Sequence, residues 1–130
     1  MFENFLSKVE NQEKKVIAID FDGVIHKNSR GFYDGTVYDE PIEGSLEALR
    51  YLSKIYTIVI FSCKALPDRP IVNGMNGIEH IKEWLKSHKV LECVKEVTYY
   101  KPRASIYIDD KGYRFENWKD SLDFIRSFEN

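Results

Sequence analysis

The 130 residues carry 43% hydrophobic and 31% charged side chains, with 19 basic against 21 acidic groups and a formal net charge of −2. One domain fits this length, and folding hides about two-thirds of the unfolded surface of such a chain, enough for a core without staples. Near-balanced charge argues against a general nucleic-acid or anionic-membrane binder, and 14% aromatics argue against disorder. Two cysteines, Cys63 and Cys93, cannot build a disulfide framework or a four-ligand zinc site. Met1 to Glu13 lacks an apolar signal core, and no apolar run approaches the ~20 residues of a membrane span. The expected address is the cytoplasm, with no membrane partner.

Phe2, Phe5, Leu6 and Val9 recur at helical spacing and predict a short amphipathic helix. Val16-Ile17-Ala18-Ile19 is a continuous apolar run that suits a strand buried on both faces. It ends in Asp20-Phe21-Asp22-Gly23. Residues 26–40 are polar, and Asp34-Gly35 between Phe32-Tyr33 and Val37-Tyr38 is a hairpin-turn signal, so a small β-hairpin flap is expected there. Ile42, Leu46, Leu49 and Leu52 mark one face of a helix after Pro41. Ile55 to Phe61 predicts a second strand, closed by Ser62-Cys63-Lys64, and residues 65–77 read as loop. Ile78, Ile81, Trp84 and Leu85 mark another helix, ended by Lys86, His88 and Lys89. Val94 to Tyr99 and Ser105 to Ile108 predict two more strands. Trp118, Leu122, Ile125 and Phe128 form the stripe of a last helix over 117–128.

Strands alternating with helices imply an α/β domain: a doubly wound, Rossmann-like, mostly parallel sheet with helices on both faces. Residues 1–130 form one domain in this reading. Ligands of such sheets sit at the carboxyl ends of the strands, near a topological switch point. The polar residues expected at those ends are Asp20, Asp22, Ser62, Lys101, Asp109 and Asp110. Two acidic clusters, a hydroxyl and a lysine make a site for a hard cation and a phosphate. Mg²⁺ takes oxygen ligands and shares one or two carboxylates with substrate phosphate. An aspartate carboxylate is also a competent nucleophile toward phosphorus, and a second carboxyl serves as acid for the leaving group and base for water. Gly23 permits the turn that would bring Asp22 round to that position.

Asp20-Phe21-Asp22-Gly23-Val24 after an apolar strand resembles the first motif of the haloacid dehalogenase superfamily of Mg²⁺-dependent phosphatases. Ser62 after Ile58-Val59-Ile60-Phe61 resembles the second motif, Lys101 the third, and Ile108-Asp109-Asp110 the fourth. The resemblance spans roughly residues 16 to 115, and the segment KPRASIYIDDKGYRF is similar to the tail of small bacterial and phage members. It implies a Mg²⁺-dependent phosphomonoester hydrolase that forms an aspartyl-phosphate on Asp20, with Asp22 as general acid/base. Ser62 and Lys101 would hold the substrate phosphoryl group. Asp20, the Asp22 carbonyl and Asp109 would bind the metal, with Asp110 directly or through water. The chain departs from larger members in lacking room for a large cap domain, which implies an open site. A phosphorylated small molecule is the expected substrate, with a polynucleotide end as the alternative.

Rival functions are weaker. A signalling receiver domain has its phospho-accepting aspartate on a middle strand and its lysine near the last one; here the middle strand ends in Ser62, and Lys101 precedes the second acidic pair. A nucleotide-sugar transferase using Asp20 and Asp22 needs a longer chain. A catalytically inactive binding module and a phosphotransferase share the same residues and are separated only by experiment. Among the remaining residues, His26, His80 and His88 read as surface groups, Cys63 as a buried thiol, and Trp84 and Trp118 as core. Lys64 and Arg69 read as solvated charges. Phe32, Tyr33 and Tyr38 either cover a sugar or base, or pack the flap down.

Overall fold

The computed structural model describes residues 14–109 and 114–128. The expected N-terminal helix and Asp110 lie outside them. The elements run in the order β1 (Val16–Asp20), α1 (Ser45–Leu52), β2 (Thr57–Phe61), α2 (Gly77–Ser87), β3 (Glu96–Thr98), β4 (Ile106–Ile108) and α3 (Trp118–Phe128), with short 3₁₀ turns at Cys63–Ala65 and Leu91–Cys93. The four strands form one all-parallel sheet in the order β3-β2-β1-β4. β1 runs one residue past its apolar stretch to Asp20, whereas β2, β3 and β4 are shorter than expected. Ile55 falls instead in the turn after α1, where its N–H donates to the Leu52 carbonyl at 3.0 Å.

Alternation along the strands sends Ile17 and Ile19, Ile58 and Ile60, Val97, and Ile106 and Ile108 to one face. These residues share a single buried cluster with Ala48, Leu49 and Leu52 of α1, Ile81, Trp84 and Leu85 of α2, and Trp118 and Ile125 of α3. The described helices therefore pack on that face, and α1 also touches α3. Fully burying one such isoleucine contributes about 1.5–3 kcal/mol, so the cluster supplies most of the driving force for folding. The opposite face presents Ala18, Val59 and Thr98, all buried. Residues 99–105 connect β3 to β4 without a helix and pass close to Tyr107 on that face. The Tyr107 hydroxyl accepts from the Ala104 N–H at 3.0 Å, and Lys101 Nζ lies 4.6 Å from the Tyr107 ring centre.

Helix ends follow their sequence signals. Asn76 caps α2: its side chain accepts from the Glu79 N–H, and Glu79 accepts in return from the Asn76 N–H, which satisfies two otherwise unpaired donors. Asn117 Oδ1 accepts from the Asp120 N–H at the start of α3. Both tryptophans are core, as expected, and each indole N–H is satisfied, Trp84 on the Asp39 carbonyl at 2.9 Å and Trp118 on the Val24 carbonyl at 3.1 Å.

The flap is not a hairpin. Residues 26–40 form successive turns, and their strand-like pairing is confined to isolated bridges from His26 to Asp22 and to Pro41. Tyr33 takes φ of +52° and Gly35 donates to the Phe32 carbonyl at 2.9 Å, so a turn forms with Tyr33 and Asp34 at its centre, one residue before the expected Asp34-Gly35. Side-chain bonds then replace a ladder beyond it. Asp39 accepts from the Ser29 amide and hydroxyl, and Tyr38 Oη accepts from the Arg30 N–H while donating to the Gly31 carbonyl.

At the head of α2, a Cβ placed on Gly77 would lie 1.7 Å from the Lys64 carbonyl oxygen. Helix and 3₁₀ turn can meet this closely only because position 77 has no side chain. Gly77→Ala should cost about 1–3 kcal/mol, visible as a fall of several degrees in the thermal unfolding midpoint.

Candidate active site

The carboxyl ends of β1, β2 and β4 gather the acidic and hydroxyl residues. Strand order reverses between β1 and β4, which makes their junction the switch point. Ile19 pairs with Ile108, so the next residues, Asp20 and Asp109, emerge side by side. Beyond Asp20 the chain folds round one acceptor: the Phe21 carbonyl receives the N–H groups of Val24, Ile25 and His26. Gly23 sits in this turn at φ of +83°, a conformation that side chains with a Cβ disfavour. Phe21 is buried, and Asp22 is swung back toward the end of β2.

Asp22 is held by three side chains. His26 Nδ1 lies 3.0 Å from Oδ1, the Ser62 hydroxyl donates to Oδ2 at 3.0 Å, and Lys64 Nζ donates to Oδ1 at 3.2 Å. His26 Nε2 accepts from the Asp39 N–H at 2.9 Å. That contact leaves the ring proton on Nδ1, so the imidazole donates to Asp22 as a neutral group. Burial tends to raise the Asp22 carboxyl, but the His26 hydrogen bond, the Lys64 charge and the Ser62 hydroxyl outweigh it and hold Asp22 below the ordinary carboxylate range. Lys64 also donates to Asn28 Oδ1 at 3.0 Å, and its own N–H donates to Ser62 Oγ at 3.1 Å.

Lys101 and Asp109 form a second pair, with Nζ 2.6 Å from Oδ2 and Asp109 almost wholly buried. Asp20, Asp22 and Asp109 line one cleft of about 280 Å³ with Gly23, Val24, Arg114 and Phe115. Ser62 stands one strand away, its hydroxyl hydrogen committed to Asp22. A neighbouring cavity of about 430 Å³ is lined by Asp22, Asn28, Phe32, Cys63, Lys64 and Arg69.

Several expectations need correction. His26 is fully buried, stacked on Phe21 with ring centres 5.3 Å apart and edge-on to Trp84 and Tyr38. His80 is buried too, its Nε2 2.7 Å from the Val72 carbonyl. Lys64 is 3% exposed; the 3₁₀ turn after Ser62 directs it inward, to Asp22. Cys63 beside it is exposed instead of buried, because that turn points alternate residues away from the core. Arg114, in the cleft with Asp109, carried no sequence signal. Lys64 had one in retrospect: it lies two residues beyond a strand-end serine, within one turn of it.

All the ligand atoms in the cleft are oxygens, the donor type a hard cation prefers. Among the described residues no three His, Cys, Asp or Glu side chains converge closely enough to hold a metal by themselves. Two carboxylates, Asp20 and Asp109, with a backbone carbonyl suit a cation that completes its shell with water and substrate. Comparison with protein-family models, curated proteins and solved structures returns no match. Among the described residues no helix is long and apolar enough to cross a membrane.

Asp39 closes the loop over His26, and its carboxyl is held down at about 2 by the Ser29 side chain and the Ser29 and Glu40 amides. A folded-state value below the ordinary 3.8 stabilises the loop fully above about pH 4, and the contribution is lost as pH falls through about 2. Protection of the Ser29 amide from hydrogen exchange should fall across that window. In Asp39→Asn it should start lower and stay flat.

Proposed function

We propose that this protein is a Mg²⁺-dependent phosphomonoester hydrolase of the haloacid dehalogenase type, acting through Asp20. The observation that carries the reading is the convergence of Asp20, Asp22 and Asp109 on one cleft at the switch point of a parallel sheet, with Lys101 on Asp109. The Asp20 and Asp109 carboxylates and the Asp22 carbonyl would hold the cation, with Asp110 directly or through water. Bound there, the cation would supply the positive charge that lets an anionic nucleophile approach an anionic phosphoryl group. The proposal includes a domain without a large cap, and a phosphorylated small molecule as substrate.

Asp20 Oδ attacks phosphorus and the bond to the ester oxygen breaks, giving an aspartyl-phosphate and an alkoxide that takes a proton from Asp22. Asp22 then removes a proton from water, the water oxygen attacks phosphorus, and phosphate leaves as the Asp20 carboxylate returns. Lys101 and Ser62 hold the phosphoryl oxygens, the serine by rotating its hydroxyl away from Asp22. The lowered Asp22 carboxyl and its three donors suit the base half of this cycle. For the acid half, Asp22 has to exchange a donor for a proton as substrate enters. The same three donors favour one second reading, a catalytically inactive phosphate-binding module whose Asp22 is purely structural.

Phosphate release from an aryl phosphate and a metabolite panel, with Mg²⁺ or EDTA, separates the two. The enzyme reading expects metal-dependent release that Asp20→Asn abolishes with the fold intact, and a loss of roughly 10²–10⁴-fold in Asp22→Asn. Equal activity of Asp20→Asn and the wild type would overturn the mechanism. Absence of release from any ester would favour the binding module.

A further inference from the structure

We propose that the cavity on the Lys64 side of Asp22 is a second anion subsite, and that the substrate is a small phosphomonoester carrying a second phosphoryl group. The inference rests on the Asp20–Asp109 cleft as the place of reaction. Asp22 lines both the cleft and the cavity, so a ligand seated at Asp20 reaches the second space by passing one side chain.

The charge of that space is unbalanced. Lys64 and Arg69 face it, and its one carboxylate is Asp22, which is already shared with His26 and Ser62. Lys64 is a nearly buried cation that shares Asp22 with His26 and Ser62, donates to a neutral Asn28 oxygen, and otherwise meets only the Phe32 and Tyr38 rings, 6.0 and 5.7 Å from their centres. A buried charge so incompletely paired is costly, and an incoming anion relieves it. Arg69 has no carboxylate within salt-bridge distance among the described residues. Its Nε donates a long 3.4 Å bond to the Cys63 carbonyl, and the guanidinium lies 5.5 Å from the centre of the Phe32 ring. Phe32 thus orients the guanidinium without neutralising it and leaves the terminal amino groups for a ligand. A planar fork with free donors matches phosphoryl oxygens better than a point charge does.

The test is calorimetric titration, in Mg²⁺, of alkane α,ω-bisphosphonates with two to six carbons, against methylphosphonate and the matching phosphonocarboxylates. The best bisphosphonate should bind roughly tenfold or more tighter than methylphosphonate, and Arg69→Gln should bring that ratio toward one. No preference for any bisphosphonate, or a preference that survives Arg69→Gln, overturns the subsite. Equal binding of phosphonocarboxylates overturns the second phosphoryl group as the recognised element, and tighter binding of a 5′-phosphorylated oligonucleotide overturns the small-molecule assignment. The two readings fail separately. An Arg69-dependent preference without phosphate release from any ester leaves the subsite and removes the hydrolase, whereas release without the preference does the reverse.

Discussion

One carboxylate ties together the parts of the chain that surround the site. Asp22 receives a proton donor from the turn after β1, a hydroxyl from the end of β2, and an ammonium group from the 3₁₀ turn beyond it. Asn28, through Lys64, adds the first turns of the 26–40 loop. Without Asp22, Lys64 would be a nearly buried cation with no carboxylate, left to the Asn28 amide and the Phe32 and Tyr38 rings. Breaking a buried pair costs about 3–5 kcal/mol, reduced here because water still reaches a fifth of the Asp22 side chain. The site is therefore held in place by the group that the proposed chemistry needs to be mobile in its protonation. A network that stabilises the carboxylate works against its use as an acid until substrate rearranges it.

The neutral tautomer of His26 belongs to the same logic. Asp39 sets it by aiming a backbone N–H at Nε2, and Asp39 is itself fixed by its carboxylate on Ser29 and its carbonyl on Trp84. The loop that lacks a strand ladder thus controls the donor that Asp22 sees, through main-chain atoms that no side-chain substitution removes.

Much of the fold was legible in the sequence because it follows from periodicity. The runs around Ile17, Ile58 and Ile106 form buried strands, and the stripes through Leu49, Ile81 and Ile125 turn to the core. Hydrophobic pattern determines which elements form and which face turns inward. Strand ends follow from the same pattern, which is why the sequence alone puts Asp20 and Asp109 near each other. What pattern reasoning missed was polar burial. His26 and Lys64 sit in polar stretches, and a charge or an imidazole looks solvated until its partners are known. The carboxylate that pairs Lys64 comes from 42 residues away, and no local window contains it; His26 has Asp22 only four residues off, but Trp84, which packs on its ring, is distant in the chain. Asp34-Gly35 failed differently: the turn falls one residue earlier, over Phe32 to Gly35, and the flanking residues bond through the Asp39 and Tyr38 side chains instead of a ladder.

Trp84 stands at the inner end of this arrangement. Its ring lies edge-on to both Phe21 and His26, 5.3 and 5.7 Å between centres, and is tilted against His88 at 4.3 Å, while its N–H is anchored to the loop at Asp39. Imidazole groups quench indole emission when they approach closely, and the indole N–H bond tunes its wavelength. The protein consequently carries an intrinsic optical gauge of its own loop: lifting residues 26–40 from the sheet would free the indole from Asp39 and His26 together, so that opening and closing become a colour and brightness change needing no added label.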